Sequence, residues 1–362
     1  MSRLLVLLGT RKGVFILEAD PARRADPAAW TIRGPFCEAW PINHVTLDPA
    51  TGAIVAGGGS PWFGPAVWRS DDLGATWSHS SQGFTFGDGE PAVTSVWQLT
   101  AAHGVLWAGV EPAGLFRSTD GGVSWSHVAG LRDHPSRPGW MESPGGLICH
   151  TILAHPTDPL RTWVGISAAG CFATEDGGLT WEARNRGVAA DYMPDPDPEF
   201  GQCTHKVALA SGDPERLWQQ NHCGVYRSDD AGRTWARLDI DRLPSEFGFA
   251  LVARPGDPDG VFTIPLNGPE RGRTVPGDAL AVWTTRDAGA TWTDLRDGLP
   301  QQRAHLGVLR DGLATDALDP FGLYAGTSTG LLFASADGGG TWQRIAEMLP
   351  SILSVETALV DA

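Results

Sequence analysis

Residues 219–235 read QQNHCGVYRSDDAGRTW. The second half, SDDAGRTW at 228–235, is one of six copies of a single pattern, (S/T)-x-D-x-G-x-(S/T)-W. The others are SDDLGATW at 70–77, STDGGVSW at 118–125, TEDGGLTW at 174–181, TRDAGATW at 285–292 and SADGGGTW at 335–342. Their tryptophans lie 48 to 57 residues apart. A repeat near 50 residues that holds several short strands is the mark of a β-propeller.

The pattern is a self-contained turn. Its Asp can accept hydrogen bonds from the turn's own amides, and its Gly supplies a positive φ without steric cost. The Ser or Thr hydroxyls tie down further backbone groups. The Trp opens the next strand and can bury its ring between neighbouring sheets. Six of the 16 tryptophans are accounted for in this way, with no functional role needed.

These residues resemble the Asp-box (BNR) repeat of sialidases, xyloglucan-active glycosidases, sortilin-type receptors and photosystem assembly factors. The overall layout is similar to bacterial BNR-repeat proteins labelled sialidase-like or glycosyl-hydrolase-like. The resemblance runs over nearly the whole chain and implies a fold; enzymes and non-enzymes share the repeat, so it leaves activity open. The expected architecture is one all-β domain over residues 1–362, a seven-bladed propeller. Six blades carry an Asp-box. The seventh combines the N-terminal hairpin around GTRKG (9–13) with an innermost strand from Ile352–Val360, so that the two termini close the ring. Six blades is the alternative, if the hairpin joins the first repeat.

Composition narrows the function. Apolar residues make up 42% and charged residues 19%, which suits a globular chain. A formal charge of −15 argues against nucleic acid or an anionic membrane as the main partner and leaves a small-molecule substrate. The apolar run near the N-terminus is short, is broken by Gly-Thr-Arg-Lys and has no cleavage site, so it reads as a strand and not a signal peptide. Five cysteines without CxxC spacing read as free thiols, and the expected location is the cytoplasm.

Topology then sorts side chains by face. With four antiparallel strands a to d counted outward from the axis, the Asp-box lies between c and d. The b–c turns and d–a connections share the opposite face, where a pocket is expected. His44, His150, His205 and His305 sit at or near the start of innermost strands, with Trp97 and Phe249 at comparable positions. His222 lies in the b–c turn of the fourth blade, within QQNHC. Imidazoles converging on one axis suit a divalent transition metal (Zn, Fe, Cu or Mn). His44, His150, His205 and His305 are the expected ligands, and Cys203, two residues from His205, is a possible thiolate. His222 and Glu111 are the candidate catalytic groups; Arg11, Trp62, Asn221, Arg271 and Arg273 are the candidate substrate contacts. The last two arginines belong to an insertion, NGPERGRTVPGD at 267–278, placed to act as a specificity loop.

Three readings follow. The first is a metal-dependent enzyme, hydrolytic or redox, acting on a small polar molecule. The second is a glycoside hydrolase using two carboxylates drawn from Glu38, Glu90, Glu111, Glu142 and Glu199. The third is a binding scaffold. The resemblance to sialidases would imply three arginines and a Tyr–Glu pair. Only Tyr192 among the three tyrosines falls in a pocket-side loop, which argues against that activity.

Overall fold

The computed structural model, which describes residues 2–142, 145–238 and 242–361, folds the chain into antiparallel sheets with almost no helix. Seven four-stranded units follow one another. The innermost strands of the first six are Ile42–Leu47, Ser95–Ala102, Cys149–Ala154, Thr204–Ala210, Gly248–Ala253 and Leu313–Thr315. The first and second units are also bridged edgewise by one antiparallel residue pair, Gly59 with Ser95. The seventh unit uses both ends of the chain. Ile352–Asp361 pairs with Ser2–Thr10, which pairs with Gly13–Ala19, which pairs with Thr31–Phe36. The N-terminal hairpin therefore belongs to its own sheet and not to the first repeat. Leu4 to Leu8 are fully buried on both faces, because this strand is covered on either side by neighbouring sheets.

Each Asp-box closes as a small hydrogen-bonded knot. In the fourth unit the Ser228 hydroxyl donates to Asp230 Oδ1 (2.8 Å) and accepts from the Gly232 amide (2.8 Å). Asp230 also accepts from the Thr234 amide (2.8 Å) and hydroxyl (2.6 Å). The same bonds recur around Asp72, Asp120, Asp176, Asp287 and Asp337. These bonds pull the carboxyls of Asp72, Asp120, Asp176 and Asp287 down to a pKa of about 2, led by the Thr or Ser hydroxyl four residues on.

Three of the box tryptophans, Trp125, Trp235 and Trp342, join their unit to the one before through their amides, on Gln82 O, Arg186 O and Asp297 O. The Trp235 amide donates to Arg186 O (2.9 Å), and its indole N–H donates to Arg184 O (2.8 Å). Gly187 lies at the crossing with φ +88°. A Cβ there would sit 2.3 Å from the Trp235 carbonyl, so glycine is required by conformation and by space. Nearer the axis, polar bonds link every consecutive pair of units. Asn43 donates to Val96 O, Thr100 to Ile152 O, His150 to Thr204 O and Gln220 to Glu246 O. The Val275 amide donates to Leu306 O, Val355 to Asp311 O and Gly13 to Trp40 O, the last joining the seventh unit to the first. Among the described residues no helix is long and apolar enough to cross a membrane.

Asp230→Ala should lower stability by about 2 kcal/mol through loss of the knot. Asp230→Asn, which keeps the Oδ1 acceptor, should lose less. Urea midpoints of the two variants test this order.

Candidate functional site

Antiparallel pairing in the inner strands is interrupted at the same place in six of the seven units. The register slips between Ile42 and His44, Val96 and Gln98, Cys149 and Thr151, Thr204 and Lys206, and Gly248 and Leu251; in the seventh unit it slips between Ile352 and Ser354. A bulge of this kind leaves one unpaired residue and re-aims its side chain. The residues set free are Asn43, Trp97, His150, His205, Phe249 (with Ala250) and Leu353. All of these except His150 and Ala250 line one cavity of about 900 Å³.

All seven units contribute to that cavity. The turns joining the second and third strands bring Arg11, Ser60, Glu111, Ala168, His222, Arg273 and Ser328 to its wall. No Asp-box residue lines it. The insertion between Pro265 and Val282 folds over one side, held by the Val275 amide on Leu306 O (2.9 Å).

The expected four-histidine centre is not assembled. His44 is paired in register and not bulged, so it turns away between sheets, where it accepts from Gln98 Nε2 (3.1 Å) and stands 3.5 Å from Glu356; its neighbour Asn43 takes the cavity position. His150 has both ring nitrogens occupied. Its Nε2–H donates to Thr204 O (2.9 Å) and its Nδ1 accepts from the Thr151 hydroxyl (3.1 Å). His305 lies eight residues ahead of the strand Leu313–Thr315, is 69% exposed and faces Asp278 at 3.3 Å. His205 does reach the cavity, beside His222, with ring centroids 4.7 Å apart.

Of the other expected residues, Glu111, Arg11 and Arg273 line the cavity. Trp62 projects at the tip of the rim turn after Pro61 and is 92% exposed, outside the cavity wall. Arg271 is exposed on the insertion and also lies outside the wall. Asn221 is fully buried and serves its own turn, accepting from the Cys223 amide (2.7 Å) and donating to Ala189 O (3.1 Å).

Two wall residues, Arg310 and Asp311, escaped the sequence reading because it anchored the sixth inner strand on His305. Counting back from the SADGGGTW box through LLFAS and LYAG leads to Leu313 and places both beside the axis. Asp311 forms an ion pair with Lys206 of the fourth unit. Arg310 makes no hydrogen bond or ion pair with a described residue; its guanidinium carbon stands 5.0 Å from the centre of the Phe249 ring. Arg273 approaches the same ring at 5.7 Å and also has no carboxylate partner among the described residues.

Burial and charge tune these groups. Desolvation raises the Glu111 carboxyl; a hydrogen bond from Trp97 Nε1 (2.9 Å) works against this, and Glu142 adds to it. Burial holds His205 and His150 well below the usual histidine range, with Arg310 next in effect. Burial lowers His222 as well, followed by Arg273 and Arg310.

The comparisons bear on the fold first. A xyloglucanase from Xanthomonas campestris superposes with a TM-score of 0.67 at 18% identity, over 95% of this chain and 52% of that one. A periplasmic gluconolactonase from Pseudomonas aeruginosa superposes with a TM-score of 0.59 at 13% identity, over 98% and 99% of the two chains. The fold is a β-propeller. In sequence, the chain is 26% identical over 294 residues to a xyloglucanase of Paenibacillus sp, a match spanning 78% of this chain and 24% of that protein. It is 28% identical over 195 residues to a sialidase of Micromonospora viridifaciens, spanning 51% and 28%. The propeller thus spans about a quarter of these curated relatives and is glycosyl-hydrolase-like in sequence. No protein-family model matches it.

A depressed histidine pKa means that the unfolded chain takes up protons first. Stability present above pH ~6.5 is therefore lost as the pH falls, by about 1.4 kcal/mol per unit for each such histidine. His150→Gln should flatten the fall in thermal midpoint between pH 7 and pH 5. An unchanged slope would assign that loss to other groups.

Proposed function

We propose that the chain forms a closed seven-bladed propeller and acts as a glycoside hydrolase, holding an oligosaccharide in the axial cavity with Glu111 as general acid. The observation that carries this reading is the setting of Glu111. It is a half-buried carboxyl on the wall of a large cavity, raised in pKa by desolvation and oriented by the Trp97 indole. A carboxyl raised above its usual range is better suited to protonating a glycosidic oxygen. The xyloglucanase and sialidase names of the relatives support the substrate class, and the cavity's seven-sided lining supports ring closure.

Glu111 gives its proton to the leaving oxygen as the glycosidic bond breaks. Water supplies the hydroxyl at the anomeric carbon and passes its proton to a second carboxylate. Asp311 is the other carboxylate on the wall among the described residues, and we assign it that part. Trp62, exposed at the rim, offers a face on which a sugar ring stacks. Arg11, Arg273 and Arg310 face the cavity without carboxylate partners among the described residues and favour a sugar that carries an acidic group.

Hydrolysis of a panel of neutral and acidic oligosaccharides tests the reading. Glu111→Gln should cut the rate by ~10²–10⁴, and much less on nitrophenyl glycosides, whose leaving group needs no acid. Activity should fall as the pH rises through the Glu111 pKa. Trp97→Phe removes a bond to the ionised form and should move that limb upward; Glu142→Gln removes a like charge and should move it downward. Wild-type rates in Glu111→Gln on unactivated oligosaccharides, or no turnover of any member of the panel, would refute the assignment.

A further inference from the structure

Cys203, His205 and His222 hold their Sγ and ring nitrogens within 4.8 Å of one another, and all three line the cavity. They form the sole such group of three found among the described residues. The local sequence explains the meeting. Cys203 stands just before the strand Thr204–Ala210, at a tight turn in which the Thr204 amide donates to Gln202 O (3.1 Å), and the bulge at His205 re-aims its ring. His222 hangs from the turn that follows the neighbouring strand Asp213–Asn221.

The ring nitrogens are ready for a ligand. His205 Nδ1–H donates to Gly248 O at 2.6 Å, which fixes the tautomer and leaves the lone pair on Nε2. His222 makes no hydrogen bond with a described residue. Its ring is held by packing alone, against Tyr192 (4.9 Å) and Phe247 (5.1 Å). The Tyr192 hydroxyl in turn accepts the Cys203 amide proton at 2.6 Å, tying the loop that carries the thiol. Phe249 closes the far side of His205 at 4.5 Å. Two imidazoles and a thiol in a pocket walled by aromatic rings match the ligand preference of zinc.

We propose that Cys203 Sγ, His205 Nε2 and one ring nitrogen of His222 bind zinc(II), with a fourth position open to the cavity where Arg273 and Arg310 help hold an anionic ligand. Donors on a tetrahedral zinc stand roughly 3.3–3.8 Å apart. The group therefore closes by about 1 Å, a movement that the His222 ring, without a hydrogen bond to any described residue, can supply. The Cys203 thiol loses its proton to solvent as the zinc–sulfur bond forms. The thiolate offsets half of the ion's charge, and the two guanidiniums, without acidic partners among the described residues, add to the attraction for an anion. The zinc ligands share the cavity with Glu111 but do not include it, and the site stands whether or not the chain cleaves sugars.

The test uses untagged protein stripped with chelator and titrated with zinc(II) chloride or cobalt(II) chloride. One equivalent of zinc should bind, and the cobalt form should show a thiolate-to-metal band in the near ultraviolet. Cys203→Ser should abolish that band, and His222→Ala should weaken zinc binding at least tenfold. His305→Ala and Glu111→Gln should load as the wild type does. Inorganic phosphate should perturb the visible cobalt bands, less so in Arg310→Met. Circular dichroism checks folding, and should Cys203→Ser fail to fold, His222→Ala on its turn decides. Substoichiometric zinc in the wild type, or equal loading in Cys203→Ser and His222→Ala, overturns the site. A cobalt spectrum indifferent to phosphate overturns the open anion position.

Discussion

A break in the pairing of six of the seven inner strands governs what this cavity is made of. A regular ladder would alternate side chains between the two flanking sheets and aim none of them along the axis. The bulge breaks that alternation once in six of the seven sheets, at nearly the same depth, so a backbone defect becomes a ring of inward-facing groups. Asn43, Trp97, His205, Phe249 and Leu353 have little in common chemically. They share only a position, and the Asp-box knots at the other end of six of the sheets help hold that position without dictating which residue fills it.

That division explains what could be read from the amino acids alone. The box is a local device whose hydrogen bonds are closed within seven residues, so its pattern announces itself, and the repeat follows. The face opposite the boxes follows from strand alternation, and with it the placing of His222, Glu111, Arg11 and Arg273 near one cavity. The failures have three different causes. His44 and Asn43 differ by one step, and without knowledge of the bulge the histidine looks like the axial group. His150 occupies the right step, yet its ring is drawn sideways by the Thr204 carbonyl of the next sheet, a partner 54 residues away that no local pattern reveals. In the sixth unit a long approach to a short strand hid Arg310 and Asp311 behind the more conspicuous His305.

The charge pattern is equally non-local. The chain is acidic as a whole, at −15, yet the cavity gathers three arginines that have no carboxylate of their own among the described residues. Low-dielectric walls focus such a field, and an anion entering from an acidic surface would meet a reversal of sign at the mouth. Burial lowers the pKa of His205 and His222, and Arg310 adds to this at both, with Arg273 at His222. Neutral imidazole is the form that offers a lone pair, to a proton or to a metal.

The bond between Lys206 and Asp311 has a mechanical meaning. Every other polar link described along the inner rim joins adjacent sheets, whereas this one runs from the fourth unit to the sixth and skips the fifth. It works as a strut across the opening. For the mouth to breathe at this point, two opposite charges must part in a setting where each is mostly shielded from solvent, and ions in the medium screen such a pair poorly. The width of the mouth at this corner should therefore hold even in strong brine.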